Sequence, residues 1–224
     1  MAIVVKARRR ENGIIVHELD NGESKEYLAV RGGLSWPLMA GEKLLLAYYC
    51  TIGEELIPAA QRRENQRGKL ILLSEYEAPD ILSLPEFFTK LTDDAKLFEC
   101  NTYYAITKEF QGEDYSGYTE TFQKFMYEKQ ITVHLEEAPW ADRPDLGIYY
   151  INEWTQKGLL ELPEGSLVRN QLRMMVAERV NQLPQMFNAV NALRFVVCGF
   201  EKYKPNPTPK DWRKNAPKGT WRTV

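Results

Sequence analysis

Over the first 77 residues, apolar and polar positions alternate in short runs broken by turn residues, the pattern of strands with one buried face. Ala2 to Arg8 and Ile14 to Leu19 flank Glu11-Asn12-Gly13, and Asp20-Asn21-Gly22 marks a second hairpin turn. Tyr27 to Val30, Lys43 to Cys50 and Lys69 to Tyr76 continue the alternation. Their even spacing predicts a small β-barrel or sandwich over residues 1–78, with the polar stretch QRRENQRGK of residues 61–69 as an exposed excursion. Gly32-Gly33 has the look of a turn.

From Pro79 the period lengthens. Ser83 followed by Glu86 predicts a capping box for a helix that turns Phe87, Phe88 and Leu91 inward, with Pro85 in its first turn. Glu99 to Thr107 suits a strand, and Tyr118 to Lys129 a helix burying Phe122, Phe125 and Met126. Ile131 to Leu135 suits a further strand, and Glu137 to Asp145, with two prolines, a loop. Gly147 to Trp154 is expected to be a strand. A helix starts near Ser166, with Leu172, Met175, Val176 and Leu183 at helical spacing and Arg169, Arg173 and Arg179 off that stripe. A short helix over Gln185 to Ala192 then leads into a buried strand, Leu193 to Cys198. The fold class expected is therefore α+β: a barrel-like region 1–78, a mixed α/β region 79–199 with an acidic centre, and an arm 200–224 with four prolines and no apolar periodicity.

Charge changes this picture more than composition does. The formal net charge of −2 hides a segregation: residues 1–73 carry +2, residues 74–165 carry −12, residues 166–199 carry +3 and the arm carries +5. In the arm, Lys202, Tyr203, Lys204, Lys210, Trp212, Arg213, Lys214, Lys218, Trp221 and Arg222 interleave cations with aromatics. That mixture suits a phosphate backbone with unpaired bases to stack on. It equally suits docking on an acidic surface, either this chain's own or that of a second copy. Arg62, Arg63 and Arg67 add a second basic group beside a loop.

Candidate chemistry is sparse. Of two histidines, His17 alternates within a strand and is expected to be structural, whereas His134 and Glu136 share one strand face, with Asp142 and Asp145 in the loop beyond. That set nominates a metal- or carboxylate-dependent hydrolytic site. The sequence holds no nucleophile elbow, phosphate loop, EF-hand or CxxC pair, so no catalytic residue, metal ligand or cofactor is assigned. Cys50, Cys100 and Cys198 lie apart in apolar runs, as buried reduced thiols do. Trp36 and Trp140 are expected to close the ends of the core. MAIVVKARRR lacks a signal-peptide arrangement and no run approaches a membrane span, so a cytoplasmic protein is expected.

Together these features lead to the expectation of a non-catalytic interaction protein. It would be an accessory subunit of a larger, nucleoprotein-like assembly, contacting RNA, single-stranded DNA or an acidic protein partner through the arm. The alternatives are the hydrolase near His134 and a self-assembling protein that exchanges its arm between copies.

Overall fold

A computed structural model describes residues 5–11, 13–19, 21–40, 42–57, 67–110, 112–177 and 187–201. The chain begins with β1 (Val5–Glu11), β2 (Ile14–Leu19) and the twelve-residue β3 (Ser24–Ser35). Gly13 and Gly22, at φ 84° and 83°, take the left-handed backbone that these hairpin turns demand. A small pair, β4 (Leu38–Ala40) and β5 (Lys43–Leu45), precedes β6 (Tyr48–Glu55) and β7 (Leu70–Glu77). Next come α1 (Leu84–Phe98), β8 (Thr102–Ala105), the hairpin β9 (Glu109–Phe110) and β10 (Glu113–Asp114), α2 (Ser116–Lys129) and β11 (His134–Glu137). The order closes with α3 (Pro144–Gln156), β12 (Leu160–Glu161), α4 (Leu167–Ala177) and α5 (Asn188–Glu201).

Among the described residues no sheet is closed, so the expected barrel gives way to one open mixed sheet in the order β1-β2-β3-β6-β7-β12. The length of β3 is what opens it. Its first part pairs with β2, Ile15 opposite Tyr27, while Gly32 and Gly33 pair in parallel with Tyr103 and Tyr104 of β8. On its other edge β6 runs antiparallel along the strand. β11 extends the sheet beyond β8, again in parallel.

Alternate residues of β6 face opposite ways, as the pleat requires. Tyr49 points to an aromatic layer with Phe87 and Phe88 of α1 and Phe122 of α2. Tyr48, Cys50 and Ile52 point to a second layer with α3, α4 and α5. In the first layer, Phe88 and Phe122 meet edge to face at 5.0 Å. Trp36 stacks on Tyr118 at 5.7 Å and donates its indole N–H to Ile106 O at 2.9 Å, closing that end of the core as expected. His17 is fully buried between the rings of Tyr27 and Phe98, in keeping with a structural histidine.

The expected helices over α1, α2 and α4 form. At α1 the capping box lies one turn early: Asp80 accepts from Leu82 N, and Ser83 donates to Asp80 O, within a 3-10 turn over Ile81–Ser83. Three expectations are corrected. Gly147 to Trp154 is helix, because Pro144 starts it and Leu146, Tyr150, Ile151 and Trp154 all fall on its buried side. Leu193 to Cys198 is also helix, part of an α5 that is buried on every side although Asn188, Asn191, Arg194 and Glu201 recur at helical spacing. Gly32-Gly33 is mid-strand rather than a turn. A Cβ on Gly33 would lie 1.9 Å from Ala192 O, so glycine is what lets α5 settle on β3.

Candidate active site

The strands β3, β8 and β11 run parallel and end along one edge of the sheet, at Ser35, Ala105 and Glu137. The carboxyl ends of parallel strands are where open α/β sheets present their reactive groups. Leu135 packs into the aromatic layer, so His134 and Glu136 project toward the α5 side. Glu136 stands opposite Tyr104 in register. Exposed Glu137 accepts hydrogen bonds from the Thr107 hydroxyl and, at 3.2 Å, from Thr107 N.

Ala138 N continues the strand by donating to Ala105 O at 2.8 Å. The chain then turns through Trp140, at φ 54°, and enters α3 behind Arg143. Arg143 grips Asp145 with both prongs, Nε to Oδ1 at 3.1 Å and Nη2 to Oδ2 at 3.0 Å. Partial burial pushes the Asp145 carboxyl up, but the Arg143 hydrogen bonds and charge outweigh it and hold the group below its ordinary range. Asp142 beside them is exposed.

Beneath this turn lies Arg194 of α5, 3% exposed. Its Nε donates to Asn191 Oδ1 at 2.9 Å and its Nη1 to Ala141 O at 3.2 Å, and the guanidinium covers the Phe195 ring at 4.7 Å. Gly147 makes room for it, since a Cβ there would come within 2.8 Å of Arg194 Cβ. Burial lowers the Arg194 pKa to about 10, against the opposing pull of Cys198, Asp142 and Asp145. The guanidinium thus stays charged, with neutral hydrogen-bond partners and two carboxylates in electrostatic range. Sequence reasoning misses Arg194. The signal for it is a single cation inside the apolar run NALRFVVCGF.

His134 is exposed at the opposite end of β11 from Glu137, about 10 Å away at strand spacing. Among the described residues, no three His, Cys, Asp or Glu side chains converge as a metal would require. Arg67, half-buried, donates to Phe200 O at 2.5 Å and lies 3.7 Å from Glu201, at the carboxyl end of α5. Arg31 donates beside it to Gly199 O at 2.8 Å. Arg62, Arg63 and the arm residues 202–224 lie outside the described residues. The three cysteines are buried free thiols, and burial raises each pKa, that of Cys100 and of Cys198 to about 12. That fits thiols that pack rather than react.

No family model matches the chain, and no curated protein matches it. Among solved structures it is similar to the large terminase nuclease of thermophilic phage G20c with bound zinc. The TM-score is 0.44 and the identity 9%, over 90% of this chain and 95% of that one. It is also similar to Thermus thermophilus RuvC (TM-score 0.42, 11% identity, covering 78% of this chain and 95% of that one) and to RuvC in complex with a Holliday junction substrate (TM-score 0.38). The expectation of a non-catalytic accessory protein is corrected here, because the terminase protein among these likenesses is a nuclease. Among the described residues, no helix is long and apolar enough to cross a membrane.

Proposed function

We propose that this chain is a carboxylate-dependent hydrolase acting on nucleic acid at the turn between β11 and α3. The observation that carries the proposal is Arg194, a buried guanidinium set under exposed Asp142 with no carboxylate among the described residues in hydrogen-bond contact. A base beside fixed cations is the minimum needed for water to attack a phosphodiester. Asp142 accepts the proton of the water whose oxygen bonds to phosphorus, the bond from phosphorus to one sugar oxygen breaks, and that leaving oxygen takes a proton from solvent. Arg143 and Arg194 offset the negative charge that grows on the phosphoryl oxygens. Arg194, being buried, serves this role well because it is already oriented and poorly screened.

The substrate class draws support from charge. The +5 arm continues directly from α5, starting about 10 Å along the helix from Arg194 at helical rise. Lys202, Lys204, Lys210, Arg213, Lys214, Lys218 and Arg222 engage the backbone, as do Arg62 and Arg63, while Tyr203, Trp212 and Trp221 stack on bases. A reducing compartment such as the cytoplasm suits the three separate thiols.

End-labelled single- and double-stranded DNA and RNA oligonucleotides test this reading. The wild-type chain is expected to cleave at least one, and Asp142→Asn to lose about 100-fold or more of that activity with its thermal transition unchanged. Full activity in Asp142→Asn, or no cleavage of any of the four, overturns it.

A further inference from the structure

Between α3, β12 and α4 lies a groove of about 610 Å³. Its walls are mainly aliphatic, Ile151, Leu160 and Leu172 among them, with Asn152 and Thr155 as polar exceptions, and Arg169 and Arg173 stand on its α4 side. Arg169 is tied to Leu162 O at 3.2 Å, whereas Arg173 is exposed. The acid on the opposite wall, Glu161, lies 3.8 Å from Lys69, so the groove presents apolar walls with a cationic border. It is large enough for a pair of aliphatic side chains.

A feature of complementary character stands elsewhere on the same chain. In the 3-10 turn before α1, Leu82 is 86% exposed and Ile81 42% exposed, an unusual outlay of aliphatic surface at adjacent positions. Exposed Asp80 and Glu86 flank them. The turn is held rigid by the reciprocal hydrogen bonds of Asp80, Leu82 and Ser83, so presenting Leu82 carries little ordering cost on association.

The knuckle cannot reach its own groove. It follows the carboxyl end of β7, whereas the groove borders β12, which pairs with Leu70 at the amino end of that strand, roughly 23 Å away at strand spacing. α1 also packs in the aromatic layer and α4 in the other. We infer that the groove receives the Ile81-Leu82 knuckle of a second copy of this chain. Apolar side chains enter, while Asp80 and Glu86 face Arg169 and Arg173. Because the two surfaces differ, the contact is head-to-tail, and each copy still offers a free knuckle at one end and a free groove at the other.

Sedimentation across a concentration series tests this with complementary variants. Wild-type weight-average mass is expected to rise with concentration past that of a dimer. Leu82→Asp, which alters only an exposed side chain, is expected to stay monomeric, and Arg173→Glu to weaken association by tenfold or more. Mixing those two variants restores one intact groove and one intact knuckle, and is expected to give a one-to-one dimer and nothing larger. A wild-type chain that stays monomeric throughout, Leu82→Asp associating like wild type, or a mixture that stays monomeric would each overturn the inference. Association that survives Leu82→Asp would assign the self-contact to another surface.

Discussion

The two faces of the sheet are filled by different means. On the α1/α2 face, large rings interlock: Phe87, Phe88, Phe122, Tyr49 and Tyr103 are all essentially fully buried. On the α5 face the backbone itself comes close, with Gly33 against Ala192 and Gly199 against the Tyr104 ring. Aliphatic and small residues fill that space, and the polar inserts Asn188, Asn191, Arg194 and Glu201 are buried among them. The first face holds by volume and can relax around a lost ring. The second holds by contact distance and leaves no slack for an added atom.

The sharpest way to break this contrast is Gly33→Val. Its first side-chain atom would fall 1.9 Å from a backbone carbonyl that no rotamer change can move, so α5 must lift from β3. Loss of cooperative unfolding and of near-ultraviolet circular dichroism is expected. If the variant unfolds cooperatively near the wild-type midpoint, the close-contact account of this face is wrong. On the other face, Phe122→Ala should cost about 3–5 kcal/mol in urea titrations while remaining cooperative. A cost under about 1 kcal/mol would show that the aromatic layer is not close-packed.

Arg194→Met sharpens the comparison from within the α5 face. Replacing a buried cation by an apolar side chain of similar length is expected to shift stability by only about 1–2 kcal/mol in either direction. The cleavage proposed for the β11–α3 turn should fall about 100-fold. An equal fall in both would make Arg194 a structural residue alone.

The smallest effect concerns Asp145. Its folded pKa is depressed, so its pairing contributes stability above the unfolded carboxyl value, near 3.9, and loses it as pH falls through the lower folded value. Arg143→Ala should therefore flatten the stability profile below about pH 4 and leave the chain little changed at acid extremes. An unaltered acid slope would show that the exposed pair contributes nothing.

What the sequence made legible divides along the same two faces. The hairpins, α1, α2 and the start of α4 follow from turn residues and from stripes with one wet side. α5 does not, although Asn188, Asn191, Arg194 and Glu201 recur along it at helical spacing, because Phe195, Val196 and Val197 have the β-branched and aromatic character of a strand. α3 is hidden by a similar run, Ile148 to Ile151, although Pro144 and Asp145 carry the start signal. Gly33 is uninformative alone, because its partner lies 159 positions along the chain. For the site, the carboxylates are visible as a loop of acids, but the cation beneath them belongs to α5 and becomes apparent only when that helix is packed.

α5 also bears on how the protein is made. It follows every strand of the sheet in chain order, yet it covers β3, β6 and β8. During synthesis the sheet can assemble by residue 161, while its α5 side stays open to water until residues 188–201 leave the ribosome. Arg31 and Arg67, waiting at the far end of the uncovered side, then receive the last turn of the helix at the carbonyls of Gly199 and Phe200. A nascent chain stalled before α5 displays an apolar sheet surface, and that intermediate is the form most exposed to chaperone capture or aggregation.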